Sequence, residues 1–185
     1  MAMQDSSLLW QPDYLSNDLI HLRPMLHDDC EELYSIASDP LIWAQHPEPD
    51  RYIYDVFRPF FLSAFEHHYP FTILDAASGA AIGSTRYYDY QPANSSIAIG
   101  YTFMARSHWG GAYNYACKSL LLDYAFLHIE TVLFHIGAVN IRSQKAVQKL
   151  GASLVREYTT EKRGITIPQQ EYSLSKDTWA LQRTR

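Results

Sequence analysis

"RSHWGGAYNYACKSLLLDYAF", residues 106–126, sets two glycines beside a tryptophan and then runs directly into a helical pattern. Cys117, Leu120, Leu121, Tyr124 and His128 recur at spacings of three and four, which predicts a helix from about Ala112 to Ile129 with one buried stripe. Before the glycines, "IAIGYTFMA", residues 97–105, reads as a strand. A turn of Gly110, Gly111 and Ala112 between the two lets backbone approach a ligand closely and leaves the first N–H groups of the helix pointing outward. The helix dipole favours an anion there, and a pyrophosphate is the natural guest. A glycine pair alone makes only a tight turn. The surrounding elements have to decide between the two.

Working outward, "FTILDAASGAAIGSTRYYDYQPANSSIAIGYTFMA", residues 71–105, reads as three strands separated by "AASG" and "QPANSS". Connections so short and so rich in turn formers make antiparallel neighbours. Further upstream, "LIHLRPM", residues 19–25, is a strand ended by Pro24, and "DDCEELYSIASDP", residues 28–40, is a helix with apolar positions at Cys30, Leu33, Tyr34 and Ala37. Residues 50–68 also read as helical, with Pro59 starting a new turn or kinking the helix because Arg58 is pushed away from the α region. Downstream, "TVLFHIGA", residues 131–138, is a strand. Asn140 then stands as N-cap before "IRSQKAVQKLG", and Gly151 stands as its C-cap. This strand, helix, strand, helix order predicts parallel pairing in the middle of the sheet. The tail adds β segments at "ASLVREY" and "TIPQQEYSLS" and a short helix around "KDTWALQ".

Composition narrows the function classes. At 185 residues the chain has the length of one domain, and 47% hydrophobic with 19% charged residues is an ordinary globular balance. The formal charge is −5 and no Lys/Arg block occurs, which argues against a nucleic-acid partner. The first 19 residues lack a basic segment followed by an apolar one, and no run approaches the roughly 18 apolar residues of a membrane span. The expectation is a cytoplasmic protein without a membrane partner. Two cysteines make no disulfide framework, and Cys117 falls on the buried stripe, as core and not as nucleophile. The eight histidines are scattered, and His67 and His68 are adjacent where two ligands on one helical face stand three or four apart. No metal is expected.

With these elements in order, the chain resembles the GNAT superfamily of acetyl-CoA-dependent N-acetyltransferases, in particular its RimJ/RimL-like branch, over nearly its whole length. The resemblance runs through "LIHLRPMLHDDCEELYSIASDPLIW", "IAIGYTFMARSHWGGAYN", "VNIRSQKAVQKLGA" and "EYSLSKDTW". It implies the GNAT fold, an α/β (α+β) architecture with a mixed central sheet of about six to seven strands flanked by helices, and residues 1–185 as a single domain. It also implies acetyl-CoA (CoA) as co-substrate. The family's pyrophosphate motif, Q/R-x-x-G-x-G/A, falls on Ser107, His108, Trp109, Gly110, Gly111 and Ala112, with Ser at the first position and Arg106 one residue early. Tyr113 and Asn114 then line the same loop. By position, Phe103, Met104 and Ala105 become the splayed strand end that pairs with pantetheine. Asn140 matches the family's cofactor-contacting Asn, and Ser143 matches the Ser that lies near the cofactor sulfur and donates to the leaving thiolate.

Two departures bear on mechanism. Many relatives carry a Glu base just before the I-G-Y segment and others a Tyr acid seven residues after the Asn; here those positions are Ala98 and Val147. An α-amino group is roughly one-tenth neutral at pH 7 and an unperturbed lysine about one part in 2,500. A site without an evident carboxylate base therefore favours a peptide N-terminus or another amine of lowered pKa. Water, backbone carbonyls or Glu171 could relay the proton. Tyr52, Tyr54, Tyr87, Tyr88 and Trp43 are candidates for the acceptor groove, although one of Tyr87 and Tyr88 must pack against a helix because strand neighbours face opposite ways. The expected partner is an amine acceptor, with homodimerisation open. The competing expectations are a catalytically weak or inactive acyl-CoA-binding module and a nicotinamide-binding domain. The latter lacks G-x-G-x-x-G after its first strand.

Overall fold

Alternation along the strands sorts the sheet into two faces, and this decides where the site can lie. A computed structural model describes residues 10–66, 68–162 and 164–184; the first nine residues and His67, used in the reading above, lie outside the described residues. The elements are β1 (Leu15–Ser16), β2 (Ile20–Pro24), a 3₁₀ turn (His27–Asp29), α1 (Cys30–Ala37), α2 (Pro40–Trp43) and α3 (Tyr54–Leu62). Then come β3 (Tyr69–Asp75), β4 (Ala81–Gln91), β5 (Ser96–Met104), α4 (Ala112–Ala125), β6 (Thr131–Gly137), α5 (Ile141–Lys149), β7 (Ser153–Lys162), β8 (Ile165–Ser175) and α6 (Lys176–Arg183). The eight strands form one mixed sheet in the order β1-β2-β3-β4-β5-β6-β8-β7. Only β5 and β6 run parallel.

On one face, Ile97 and Ile99 of β5, Tyr87 of β4 and Val132, Phe134 and Ile136 of β6 pack with Cys117, Leu121 and Leu122 of α4 and Trp179 of α6. Tyr87 is fully buried and donates to the Leu121 carbonyl. It is thus the tyrosine that packs on the helix. On the other face, Phe57 and Phe61 of α3, Leu33 and Ala37 of α1, Trp43 and Phe103 form a second cluster. Asp29 ties this layer to the sheet: its carboxylate accepts from Arg23, at 2.7 Å on each oxygen, and from Thr72 of β3. These helices cover the β2–β5 part of that face.

The sheet has one strand more than the upper end of the expected range, because β1 adds a two-residue edge. The expected helix over 50–68 is shorter and straddles Pro59: Phe57 and Phe61, nearly fully buried on either side of it, hold the helix through a position where only the Asp55 carbonyl loses a partner. Helix α4 ends at Ala125, four residues before the expected Ile129, and His128 is exposed beyond it. Asn140 caps α5 through its side chain, and Gly151, at φ +97°, follows the helix end.

Candidate active site

Strands β5 and β6 are hydrogen-bonded only over Ser96–Ala98 against Thr131–Leu133. Beyond that point they separate. Two irregularities in the β4–β5 ladder bracket the point of separation. Between Ser84–Phe103 and Arg86–Gly100, β5 carries one extra residue, and Tyr101 lies there at φ +52°. Between Tyr88–Ala98 and Gln91–Ser96 the extra residue is in β4, with Asp89 at φ +51°. Each is a bulge, and bulges bend a strand and strengthen its twist, so β5 is steered away from β6 while it stays bonded to β4.

The far end of β5 therefore has an unpaired edge. Ala105 N–H donates to the Ile82 carbonyl at 2.8 Å, so by antiparallel alternation the N–H and C=O of Met104 point away from β4, into the gap. The carbonyl accepts from the Trp109 indole at 2.8 Å. The Met104 N–H is left as a donor facing the gap. Phe103, by contrast, sends its ring into the second core cluster.

At the mouth of the gap, α4 and α5 both begin where the parallel strands end. Gly110, at φ +71°, makes a turn that favours glycine. Gly111 is different: its backbone, at φ −126°, suits any residue, and a Cβ on it would meet nothing within 4 Å. Neither conformation nor packing within the chain calls for a glycine here. What its bareness does is leave the start of α4, from Ala112, without a side-chain cap, with its first N–H groups directed outward. Arg142 of α5 stacks its guanidinium 4.0 Å from the Trp109 ring centre and donates to the Ile42 carbonyl at 2.9 Å, so the two walls of the gap meet at its mouth.

The residues singled out from the sequence separate into two groups. Met104, Ala105, Trp109, Gly110, Gly111, Ala112, Asn140 and Ser143 surround the gap and its mouth. Asn140 accepts from the Ser143 N–H at 3.2 Å, and the half-buried Ser143 hydroxyl makes no hydrogen bond among the described residues. Ser107, His108 and Tyr113 instead brace the loop from behind. The Ser107 hydroxyl lies 2.9 Å from His108 Nδ1, His108 packs edge-on to Tyr113, and Tyr113 donates to Asp75 at 3.1 Å. Hydrogen bonds from the Ser78 hydroxyl and N–H hold the Asp75 carboxyl below the usual carboxylate range. Arg106 is engaged by Asp39, the N-cap of α2. Asn114 sits half-buried in the first turn of α4. Ala98 and Val147 are buried.

The sheet face opposite α4 holds polar groups that the sequence reading only touched. A cavity of about 580 Å³ is lined by Asp89, Ser96, His135, Arg156, Tyr158 and Glu171, among others. Tyr88 points to this face. Beside it, Arg86 is buried between Phe60 and Tyr101, 4.6 and 4.5 Å from their ring centres, and donates to the Phe60 carbonyl at 2.8 Å; burial pushes its pKa down to about 9. His135 and Arg142 were not anticipated. The available signal for His135 was alternation, which sets it on the face opposite Phe134 and Ile136.

A family model described as acetyltransferase (GNAT) domain matches residues 20–153, and the chain belongs to that family. Solved structures share the fold. A GCN5-related N-acetyltransferase from Brucella melitensis is 18% identical with TM-score 0.78, over 94% of this chain and 85% of that one. An acetyltransferase of the GNAT family from Bacillus anthracis is 14% identical with TM-score 0.73, over 89% and 99%. The spermidine N-acetyltransferase from Vibrio cholerae, solved with CoA and spermine, is 16% identical with TM-score 0.68, over 89% and 99%. No curated protein matches. The chain is thus an acetyltransferase of the GNAT class, a family that moves an acyl group from acetyl-CoA to an amine. Among the described residues no group of three or more His, Cys, Asp or Glu is placed to hold a metal ion, and no helix is long and apolar enough to cross a membrane.

Proposed function

We propose that residues 1–185 form a single acetyltransferase domain of the RimJ/RimL-like branch, transferring acetyl from acetyl-CoA to a primary amine, either a protein N-terminal α-amine or a small amine, by direct attack in a ternary complex. The observation that carries this reading is the gap between β5 and β6, with one strand edge unpaired and a bare helix start at its mouth. Pantetheine extends along the edge of β5. The Met104 N–H donates to the thioester carbonyl and strengthens that bond as the oxygen gains charge. The first N–H groups of α4, from Ala112 to Asn114, hold the pyrophosphate, with the bareness of Gly111 giving it room. Asn140 fixes the first turn of α5, and the Ser143 hydroxyl donates to the sulfur as the thiolate leaves. Action in the cytoplasm and a homodimeric assembly complete the proposal. The polyamine acceptor of the Vibrio cholerae relative keeps small amines in view.

The test uses Gly111→Glu. Because a side chain at 111 meets no protein atom and the backbone there is ordinary, the variant should fold as the parent does. Its carboxylate would face the pyrophosphate. Calorimetric titration with acetyl-CoA is expected to give micromolar binding for the parent and at least tenfold weaker binding for the variant, and thiol release against a panel of peptides and small amines reports transfer. Equal affinity would show that the loop is not the pyrophosphate site. Tight binding with no turnover across the panel would favour an acyl-CoA-binding module without chemistry, the reading that Ala98 and Val147 motivate.

A further inference from the structure

We propose that the proton acceptor of this enzyme is a relay of Tyr88, His135 and Glu171, assembled from three strands across the point where β5 and β6 part. The proposal rests on the acetyl-transfer reading above and supplies the base that Ala98 cannot.

The geometry begins with two small residues. Tyr88 pairs with Ala98, and its ring lies over Gly100 so closely that a Cβ there would stand 2.9 Å from Cε1 and 3.1 Å from Oη. The missing side chain at 100 gives the phenol room to cross β5 in this position. It reaches β6, where Oη lies 2.9 Å from His135 Nδ1. His135 is two residues past Leu133, the last residue of β6 that pairs with β5. On the far side of the ring, Nε2 lies 3.3 Å from Glu171 Oε2 of β8, the strand partner of His135. Arg156 of β7 holds the same carboxylate oxygen at 2.7 Å. The groups facing the imidazole are therefore Tyr88 from β4, Glu171 from β8 and Tyr158 from β7, with Asp89 and Arg156 lining the same cavity, while Tyr101 of β5 and His68 pack against the Tyr88 ring.

An ionised Glu171 can only accept, so the proton of the neutral ring is assigned to Nε2, and Nδ1 is left to accept from the Tyr88 hydroxyl. The direction of the chain follows. Tyr88 Oη also accepts from the His135 backbone N–H and in this scheme takes the ammonium proton on its remaining lone pair, and burial holds the phenol well above its ordinary pKa, so it remains protonated and passes a proton on. One proton of the ammonium moves to Tyr88 while the Tyr88 proton moves to His135 Nδ1, and the resulting imidazolium sits against the Glu171 carboxylate. The amine nitrogen then bonds to the acetyl carbon and the C–S bond breaks. A second nitrogen proton goes to the sulfur, giving thiol and amide. His135 releases its proton to solvent through the cavity that it and Glu171 line. In this scheme Tyr88 and His135 carry the proton, and Glu171 is a positioning residue that sets the tautomer.

The tests are Tyr88→Phe, His135→Gln and Glu171→Gln, read by acetyl-CoA titration, by kcat/KM against pH, and by long-range proton–nitrogen NMR of the His135 ring. The first two variants are expected to bind acetyl-CoA as the parent does and to lose about 10²- to 10⁴-fold in kcat, the range of general acid–base catalysis. The dependence of kcat/KM on pH is expected to differ between the parent and His135→Gln. Glu171→Gln should bind acetyl-CoA as the parent does and lower kcat less than His135→Gln, because it frees the ring tautomer without removing the proton carrier. A His135→Gln variant within threefold of the parent in kcat and with the same pH profile overturns the relay while leaving the acetyl-transfer reading intact. A parent that binds no acetyl-CoA, or acetylates nothing, overturns that reading instead. The ring is decisive even then: an Nδ1–H tautomer overturns the relay whether or not turnover is found.

Discussion

Lys118 lies buried on α4, directly under the bulge that opens the site, and donates to Thr102 Oγ1 at 2.6 Å. Burial without a carboxylate partner among the described residues lowers its pKa to about 8 from 10.5. Between those two values the unfolded chain binds the proton and the folded chain does not, so this group's contribution to stability rises with pH across that window. Below pH 8 the full cost remains, on the order of 3 kcal/mol from the size of the shift. Lys118→Met keeps a side chain of similar length, and Thr102 keeps its 2.8 Å contact with Thr85. The variant should thus be more stable than the parent at pH 7 by up to about 3 kcal/mol, with the gap closing by pH 10.5. Burial also pushes the neighbouring Cys117 thiol up to about 11, but that group is common to both proteins and largely cancels in the difference. Denaturant melts at the two pH values decide it, and an equal gap at both would exclude titration as the cause. At this scale the sequence was only partly legible. It showed that one of Tyr87 and Tyr88 had to face a helix, but strand register decides which, and register comes from pairing between distant segments. His135 escaped notice for the same reason. A lone histidine on the outer face of a strand acquires meaning only when β4 and β8 bring Tyr88 and Glu171 to it.

Elements with strong local signals were legible: the glycine turn into α4, the Asn140 cap, the three-strand meander and the parallel β5–β6 crossing all follow from spacing and turn chemistry. Pro59 lies within α3 because buried aromatics on both sides outweigh one lost hydrogen bond. The bulges at Tyr101 and Asp89 left no trace in the sequence, since both are non-glycine residues at positive φ held there by the ladder around them. Yet they aim the strand edge that the acetyl-transfer reading needs. The position most sensitive to this aim is Gly83 of β4, opposite Met104, where a Cβ would stand 2.1 Å from the Phe103 carbonyl oxygen. That neighbour is backbone, so it must move. Gly83→Ala is expected to shift β5 at Phe103 and Met104, destabilise the fold by about 1–3 kcal/mol as overpacking does, and weaken acetyl-CoA binding by more than the lost stability explains. Thermal melts together with calorimetry separate the two effects. A destabilised variant that binds acetyl-CoA normally would show that the edge at Met104 is not used.

Across the whole molecule, the sheet is two blocks, β1 to β5 and β6 with β8 and β7, joined along their backbones by the three residue pairs between β5 and β6. The blocks are also held together beneath by the apolar cluster around α4, and beyond Ala98 the gap has no ladder. A ligand that lies along β5 and contacts the starts of α4 and α5 bridges the blocks where the backbone does not. Because it binds only the folded chain, acetyl-CoA at one hundred times its dissociation constant adds about 2.7 kcal/mol to stability. For a chain of this length that is a rise of roughly 5–10 °C in melting temperature. Bulk stabilisation alone would not locate the ligand, so the sharper readout is hydrogen exchange. Amides of Tyr101–Met104 on β5 and of Phe134–Gly137 on β6, at the open part of the gap, should slow more on acetyl-CoA binding than those of β7 and the outer part of β8, which gain only from global stability. At the same concentration Gly111→Glu, binding at least tenfold more weakly, should cut both the rise and the local slowing to about half or less. Uniform slowing throughout the sheet, with no excess at the gap, would mean that acetyl-CoA binds elsewhere and that the parting of β5 from β6 has another cause.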